Sequence, residues 1–306
     1  MPDTNFPFCA TAERIMATFP KERLRGLLEA RQAVIERGLI DRPVVTLTEI
    51  QQALAMQIFQ PDDVRIAAAA RQLVDTGQLR LVGDERISLP VLEQLSRQDT
   101  TVALNAAERR MPALATLAAH LGAWLGERIE CALLATFGSQ SGFGVHHDEY
   151  HLFIVQLEGE KDWTLVGEPH PPGTPLDAGR EDPGERVTHT LRPGDVMYLP
   201  EGRRHVCAAH GSSLHLAIML RHIDGCYLGT ELADLLAKDV VLRRPLIEAL
   251  GETEYEAGVE QYRARMHQII DEMDMLALLR RKRAKRTPGG GLQLGKPTSE
   301  TQPQDG

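Results

Sequence analysis

Apolar residues recur with two different periods along this chain, and the changes of period divide it into parts. In residues 1–98 and again in 226–286 they return every three or four positions, which is typical of amphipathic helices. In residues 99–225 they come in short runs separated by Gly, Pro and Asp, which is typical of strands and tight turns. The pattern predicts a mixed α+β protein in which a β domain is flanked by helices. Residues 287–306 are polar and rich in Gly and Pro, so we expect a disordered tail.

The amino-terminal part predicts three helices followed by a small hairpin around Gly83-Asp84. The helices begin near Glu13 (interrupted by Pro20), at Thr46 or Thr48, and at Asp62 or Asp63, the last closed by Gly77. The same order occurs in winged-helix modules that bind DNA. The third helix, however, offers only Arg65 and Arg71 for recognition, so we favour a helical cap that packs on the β domain.

The stretch GFGVHHDEYHLFIVQLEGEKDW (142–163) carries the most distinctive chemistry. It predicts an extended segment, an apolar strand over 152–157 and a turn at Glu158-Gly159-Glu160. His146 and Asp148 are two positions apart, so on a strand both side chains lie on one face. An imidazole and a carboxylate on one face are two of the three ligands of a 2-His-1-carboxylate iron site.

The third ligand is expected from a later strand. The stretch RPGDVMYLPEGRRHV (192–206) predicts a turn, a short apolar strand, a second turn and then His205. A barrel that folds back on itself would bring His205 beside the first pair, which makes His146, Asp148 and His205 the predicted metal ligands. Nine of the eleven histidines lie between residues 146 and 222, which supports a site in this region.

The two motifs GFGxHxDxYxxFxxQLEGxKxW and PGDxxYLPxGxxH resemble the JmjC-type ribosomal oxygenases of the cupin-4 group, most closely between Asp99 and Ile223. The resemblance implies a double-stranded β-helix (jelly-roll) barrel and an oxygenase that uses Fe(II), 2-oxoglutarate and O2. It implies that Lys161 anchors the far carboxylate of 2-oxoglutarate and that the hydroxyl of Thr136 lies near this cosubstrate. His215 alternates with Ser213 and Ala217 on a strand, so it is expected either to line the pocket or to be a hydrogen-bonded barrel histidine.

The implied function is hydroxylation of a protein or peptide side chain. A ribosomal protein is one candidate substrate, although two departures from the family bear on it. Position 151 is His where relatives commonly have a second acid, and the chain is too short for the family's full carboxy-terminal winged helix. Two alternatives stay open: a metal-dependent cupin enzyme that does not use 2-oxoglutarate, and a non-catalytic JmjC-like binding module.

Composition excludes several other classes of partner. The formal net charge of -9 disfavours general binding to nucleic acid, and the basic run Arg280–Arg286 is read as a solvated helix end rather than an RNA contact. No apolar run reaches membrane-spanning length, and the amino terminus does not have the pattern of a signal peptide. The four cysteines lack CxxC spacing, which favours a reducing, cytoplasmic location. A long apolar stripe from Val259 to Leu276 predicts a helix that could form a homodimer, as in relatives.

Overall fold

The computed structural model describes residues 7–68, 86–96, 99–138, 143–174, 184–222, 225–247, 249 and 251–286. The helices are α1 (Pro7–Thr18), α2 (Lys21–Ala30), α3 (Leu47–Ala55), α4 (Leu89–Ser96), α5 (Pro112–Leu125), α6 (Gly225–Lys238), α7 (Glu252–Glu272) and α8 (Met275–Arg286). The strands are β1 (Val34–Glu36), β2 (Val64–Ala68), β3 (Thr100–Leu104), β4 (Arg128–Phe137), β5 (His151–Glu158), β6 (Lys161–Val166), β7 (Arg186–Leu191), β8 (Val196–Leu199), β9 (His205–Ala209) and β10 (Ser213–Arg221). The predicted mixed α+β class is confirmed.

Two antiparallel sheets form the β domain. The larger has the order β1-β8-β5-β10-β4-β3-β2 and the smaller the order β7-β6-β9. Because side chains alternate across a strand, the central strands β5 and β10 of the larger sheet contribute to two hydrophobic cores. Phe153, Val155 and Leu216 face the helices, whereas Ile154 and Ala217 face the smaller sheet and pack near Trp163. The functional residues lie in this second, inter-sheet space.

The amino-terminal part contributes strands as well as helices to this architecture. β1 pairs with β8 and β2 pairs with β3, so each extends one edge of the larger sheet. The predicted helix break at Pro20 falls between α1 and α2. Thr46 caps α3 as predicted, since its hydroxyl accepts from Glu49 N at 3.2 Å while the Glu49 carboxylate accepts from Thr46 N at 2.8 Å.

The prediction of a helix starting at Asp62 or Asp63 is wrong for Val64–Ala68, which form β2. The alanine-rich sequence favours a helix locally, but Val64 and Ile66 are fully buried on one side of a strand paired with β3. Sheet pairing therefore overrides helix propensity here. The remainder of that predicted helix and the hairpin around Gly83-Asp84 lie outside the described residues.

The carboxy-terminal helices also differ from the prediction. The expected continuous helix divides into α7 and α8 at Met273-Asp274, where Met273 has extended backbone and Asp274 accepts from Ala277 N at 2.8 Å as the cap of α8. The first of the carboxy-terminal helices, α6, ends at Lys238. None of the helices in the described part of the chain combines the length and apolar character needed to cross a bilayer.

A buried carboxylate ties the amino-terminal segment to the turn before β8. Asp195 is 4% exposed and accepts hydrogen bonds from Gly38 N at 2.8 Å, Arg192 N at 2.9 Å and Arg37 Nη1 at 2.6 Å. We expect Asp195→Ala to lower the free energy of unfolding by about 2–3 kcal/mol, because it leaves two backbone N–H groups without a hydrogen-bond acceptor. Denaturant titration tests this, with the exposed Asp41→Ala as the matched control; equal losses for the two variants would contradict it.

Candidate metal centre and adjoining pocket

Three side chains converge at the mouth of the inter-sheet space. One ligand atom each from His146, Asp148 and His205 lies within 4.8 Å of the others, and His205 Nε2 is 3.7 Å from an Asp148 carboxylate oxygen. The two imidazole rings are 4.4 Å apart between centroids. Among the described residues these three form the one group of His, Cys, Asp or Glu close enough to hold a metal ion. The structure thus brings together the three residues predicted from two separate stretches of sequence.

Backbone hydrogen bonds hold the two histidines opposite each other. His146 N donates to His205 O at 3.0 Å, and His205 N donates to His146 O at 2.8 Å. Gly202 N donates to Asp148 O at 2.9 Å and fixes the same segment two residues further on. The sequence predicted an extended strand at His146–Asp148, and the structure has only this isolated bridge, with β5 starting at His151. The bridge is sufficient to place both ligands of this segment next to β9.

The hydrogen bonds of the imidazoles suit metal binding. His146 Nδ1 lies 3.0 Å from Gly144 O and His205 Nδ1 lies 3.0 Å from Arg203 O. A carbonyl oxygen only accepts, so each Nδ1 carries the proton and each Nε2 is left with its lone pair. Burial is the main cause that lowers the pKa of His205 to about 4, with His146 adding to it, so this ring is neutral at physiological pH. Two imidazoles and one carboxylate are the donor set expected for Fe(II).

A cavity of about 240 Å³ extends from these ligands between the two sheets. Its walls include apolar side chains of the larger sheet, and its inner end is polar. The polar residues of that end, all nine-tenths or more buried, are Thr101, Thr136, Lys161 and His215.

Lys161 is a buried cation at this inner end. It is 2% exposed as the first residue of β6, and its Nζ donates to Thr136 Oγ1 at 2.7 Å. His215 Nδ1 is 3.2 Å from the same Nζ, so it must accept, because an ammonium group only donates. No carboxylate among the described residues makes an ion pair with Lys161, and burial lowers its pKa to about 8. A buried ammonium without a counter-charge is poised to bind an anion.

Two further polar groups of the cavity, His215 and Cys207, are neutral. Burial lowers the pKa of His215 well below 6.5, with Lys161 as the second cause. Burial also raises the pKa of Cys207 to about 12, so this cavity-lining residue is a thiol and not a thiolate ligand. Trp163 stacks on His205 at 5.4 Å, and its Nε1, buried, has no hydrogen-bond partner among the described residues.

His151, the position that departs from the family pattern, lies on the other side of β5. Its Nδ1 is 2.9 Å from the hydroxyl of Tyr198 and 3.2 Å from Glu201 N. Burial lowers the pKa of His151 to about 4, so the ring is neutral. It supports the turn that leads to β9 and does not line the cavity.

Sequence reasoning assigned no role to several residues that line the cavity. Arg65 and Asn105 reach it from the amino-terminal edge of the larger sheet, while Phe143 and Tyr150 flank the metal ligands. Nothing in the sequence singled out Thr101, because the side of β3 that lines the cavity is known only from the pairing of β3 with β4. Phe143, Tyr150 and Trp163 carried a signal, as fixed positions of the motif GFGxHxDxYxxFxxQLEGxKxW.

The part of the chain that carries this site resembles known proteins. Residues 115–225 match the sequence model of the JmjC domain. The chain is 24% identical to Ribosomal oxygenase 2 of Bos taurus over 66% of this chain and 47% of that protein. It is 34% identical to the bifunctional lysine-specific demethylase and histidyl-hydroxylase NO66 of Dictyostelium discoideum, over 43% of this chain and 25% of that protein. It therefore spans less than half the length of these curated relatives.

Solved structures support the fold. The crystal structure of Escherichia coli ribosomal oxygenase YcfD aligns over 82% of this chain and 67% of its own, with a TM-score of 0.55 and 17% identity. A structure of the same E. coli protein in complex with cobalt and 2-oxoglutarate aligns over 79% and 66%, with a TM-score of 0.51 and 17% identity. The predicted jelly-roll fold and the resemblance to JmjC-type ribosomal oxygenases are confirmed.

Proposed function

We propose that this chain is an Fe(II)- and 2-oxoglutarate-dependent oxygenase that hydroxylates a side chain of a protein or peptide. The observation that carries the proposal is the pairing of two features in one cavity. A two-histidine, one-carboxylate group lies at its mouth. The ammonium group of Lys161, which makes no ion pair with a carboxylate of the described residues, lies at its buried inner end. A 2-oxo dicarboxylic acid has the matching chemistry, since one end chelates a metal and the other carries a charge.

His146, Asp148 and His205 would hold the metal through two Nε2 atoms and one carboxylate oxygen. This set of three protein ligands would leave the metal able to bind the oxo acid and dioxygen as well. Bound Fe(II) with 2-oxoglutarate and O2 supplies the oxidation that converts a substrate C–H to C–OH while releasing succinate and CO2. The protein would position the reactants and exclude water. The backbone bridge fixes the two histidines, and apolar side chains such as Ile154 and Ala217 line the cavity.

Lys161 would bind the far carboxylate of 2-oxoglutarate. Thr136 and His215 accept two of the three ammonium hydrogens, so one remains for the ligand and the head group is fixed in direction. A charge-assisted hydrogen bond of this kind is stronger than a neutral one, and the buried setting strengthens it further. The 2-oxoglutarate-independent cupin alternative gives no comparable reason to bury this lysine.

We expect the affinity for 2-oxoglutarate to fall as the pH rises above about 8. The pKa of Lys161 in the ligand-free protein is about 8, and only the charged form attracts the carboxylate. Affinity is therefore highest below that pH and declines by up to about tenfold per pH unit above it. Calorimetric titrations between pH 6.5 and 9.5 test this on the Mn(II)-loaded protein, and an unchanged affinity at pH 9.5 would contradict it.

The activity itself is tested by succinate release in air from the iron-loaded protein, with and without an extract of candidate substrate proteins. We expect succinate to form in step with the gain of one oxygen atom on a protein side chain, measured by mass spectrometry. Asp148→Ala is the matched inactive control. Binding of metal and 2-oxoglutarate with no succinate under any condition would contradict an oxygenase.

The relatives named above as ribosomal oxygenases lead us to include ribosomal proteins among the candidate substrates.

We also propose that the chain forms a homodimer through α7 and α8. Val259, Met266, Ile270 and Leu276 are 36–56% exposed there, which is unusual for side chains of this kind on one surface. Light scattering after size-exclusion chromatography should give twice the monomer mass; a monomer at all concentrations would contradict it.

The free thiols Cys131 and Cys207 favour a cytoplasmic location.

A further inference from the structure

Two polar side chains at the amino-terminal edge of the larger sheet line the cavity that contains the metal ligands. Arg65 belongs to β2, and Asn105 directly follows β3. Arg65 is the register partner of Ala103, another residue that lines the cavity, and Asn105 lies two positions after Ala103. Paired residues, and residues two apart on a strand, point to the same side of a sheet. Arg65 and Asn105 are therefore diagonal neighbours on the cavity side.

The polar groups of these two side chains make no contact that would satisfy them. Within the described ranges, the guanidinium group of Arg65 has no ion pair or hydrogen bond, and the side-chain amide of Asn105 has no hydrogen bond. The carboxylate two positions before Arg65, that of Asp63, is already held by Arg110 Nε at 2.8 Å and by Gln60 N at 2.8 Å. Arg65 is also exposed, so its charge is open to a partner that arrives from solvent.

We propose that Arg65, with Asn105 beside it, determines specificity by binding an acidic side chain of the substrate close to the residue that is hydroxylated. A guanidinium group donates to both oxygens of a carboxylate, and the amide nitrogen of Asn105 adds a further donor. Lys161 is buried at the inner end of the cavity whereas Arg65 is exposed, so the two cations serve different carboxylates, one of the cosubstrate and one of the substrate. The inference rests on the proposed function and adds the charge of the substrate to it.

The order of the strands sets the distance between Arg65 and the reaction centre. The ring of Trp163 lies 5.4 Å from that of the metal ligand His205 and 5.2 Å from that of His215 on β10, measured between centroids. β4 and β3 separate β10 from β2, so three steps of strand spacing give about 14 Å. An extended peptide advances about 3.3 Å per residue, and the side chain of Arg65 covers part of the distance. We therefore expect the Asp or Glu about two to four positions from the hydroxylated residue.

The test uses a chymotryptic digest of whole-cell protein as a peptide pool for the iron-loaded full chain. Mass spectrometry identifies the peptides that gain one oxygen atom only when 2-oxoglutarate is present. We expect the wild type to favour peptides with the nearby acidic residue by about three- to fivefold over the pool, as for one partly exposed ion pair. Arg65→Gln should lose this preference, and Arg65→Glu should favour Lys or Arg instead. Arg25 is an exposed arginine of α2 outside the cavity, so Arg25→Glu is the matched control and should keep the wild-type preference.

One modified peptide, made synthetically, identifies the source of the carboxylate. For the wild type, kcat/KM should fall about three- to fivefold when the acidic residue of the peptide is changed to its amide, Asp to Asn or Glu to Gln. Amidation of the carboxy terminus of the peptide should have no effect. Arg65→Gln should not distinguish the acidic peptide from its amide form.

The same acidic preference in the wild type and in Arg65→Glu overturns the inference, as does a loss of rate on amidation of the carboxy terminus. Affinity for 2-oxoglutarate is measured calorimetrically in the Mn(II)-loaded Arg65→Gln protein, and a loss equal to that in kcat/KM overturns the inference by assigning Arg65 to the cosubstrate. Peptides oxidised by the wild type without any acidic preference overturn the inference alone and leave the proposed function intact. If the wild type oxidises no peptide and releases no succinate, the proposed function fails and the inference fails with it.

Discussion

Replacing His146 by alanine is expected to lower the affinity for Mn(II) or Fe(II) by at least about 100-fold, more than the loss typical for a residue that only supports a ligand. The ring supplies one of three donor atoms, and its Nε2 is directed by the hydrogen bond from Nδ1 to Gly144 O. No other histidine among the described residues lies within reach to replace it in the group of three. Calorimetric or equilibrium-dialysis titration of metal measures the effect.

The control for this variant is His189→Ala, a histidine of β7 that lies outside the group of three. It should bind metal as the wild type does. His146 is only half-buried, and the backbone bridge to His205 does not depend on its side chain, so we expect His146→Ala to fold normally. Metal affinity within threefold of wild type in a folded His146→Ala protein would contradict the assignment.

Replacing Lys161 by methionine is expected to have two opposite effects. Binding of 2-oxoglutarate should fall at least about 100-fold, because the buried charge that attracts the carboxylate is lost. The ligand-free protein should become more stable by about 1–2 kcal/mol at pH 7. Burial lowers the pKa of Lys161 to about 8, which corresponds to a cost of about 3 kcal/mol for charging the buried amine. The substitution removes this cost, and the loss of two hydrogen bonds offsets part of the gain.

The gain in stability of Lys161→Met over the wild type is expected to shrink as the pH rises. The pKa of Lys161 in the folded chain, about 8, lies below the ordinary value of 10.5, so the unfolded chain binds more protons between those values. The cost of the charge is complete below pH 8 and disappears as the pH approaches 10.5. Thermal unfolding of Lys161→Met at pH 7 and pH 10, with the exposed Lys238→Met as control, measures both points. A less stable Lys161→Met protein at pH 7 would show that the lysine is compensated.

The sequence was informative about the site because metal ligation leaves a spacing that survives without structural knowledge. The two-residue interval of His146 and Asp148, followed by a turn-strand-turn pattern ending at His205, predicted a group that the structure brings within 4.8 Å. The strand assigned to the first pair was not needed, since one backbone bridge to His205 performs the same positioning. The predicted lysine, Lys161, also lines the cavity and is more deeply buried than His146 and Asp148.

Other features could not be read from local sequence because they depend on pairing between distant strands. β2 has helix-forming alanines and becomes a strand only because β3 offers an edge to Val64–Ala68. Thr101 is an ordinary strand residue in the sequence, and its contact with Thr136 comes from a register between residues 35 positions apart. The break between α7 and α8 has no Pro or Gly to signal it.

The most direct test of the account is an anaerobic titration of the purified chain with Fe(II) and then 2-oxoglutarate, followed by visible absorption spectroscopy. Chelation of Fe(II) by the oxo acid gives a metal-to-ligand charge-transfer band. We predict that this band appears, saturates at one equivalent of each component, is absent in His146→Ala, and requires far more 2-oxoglutarate in Lys161→Met. A wild-type protein that binds Fe(II) tightly but shows no band at any concentration of 2-oxoglutarate would contradict the account.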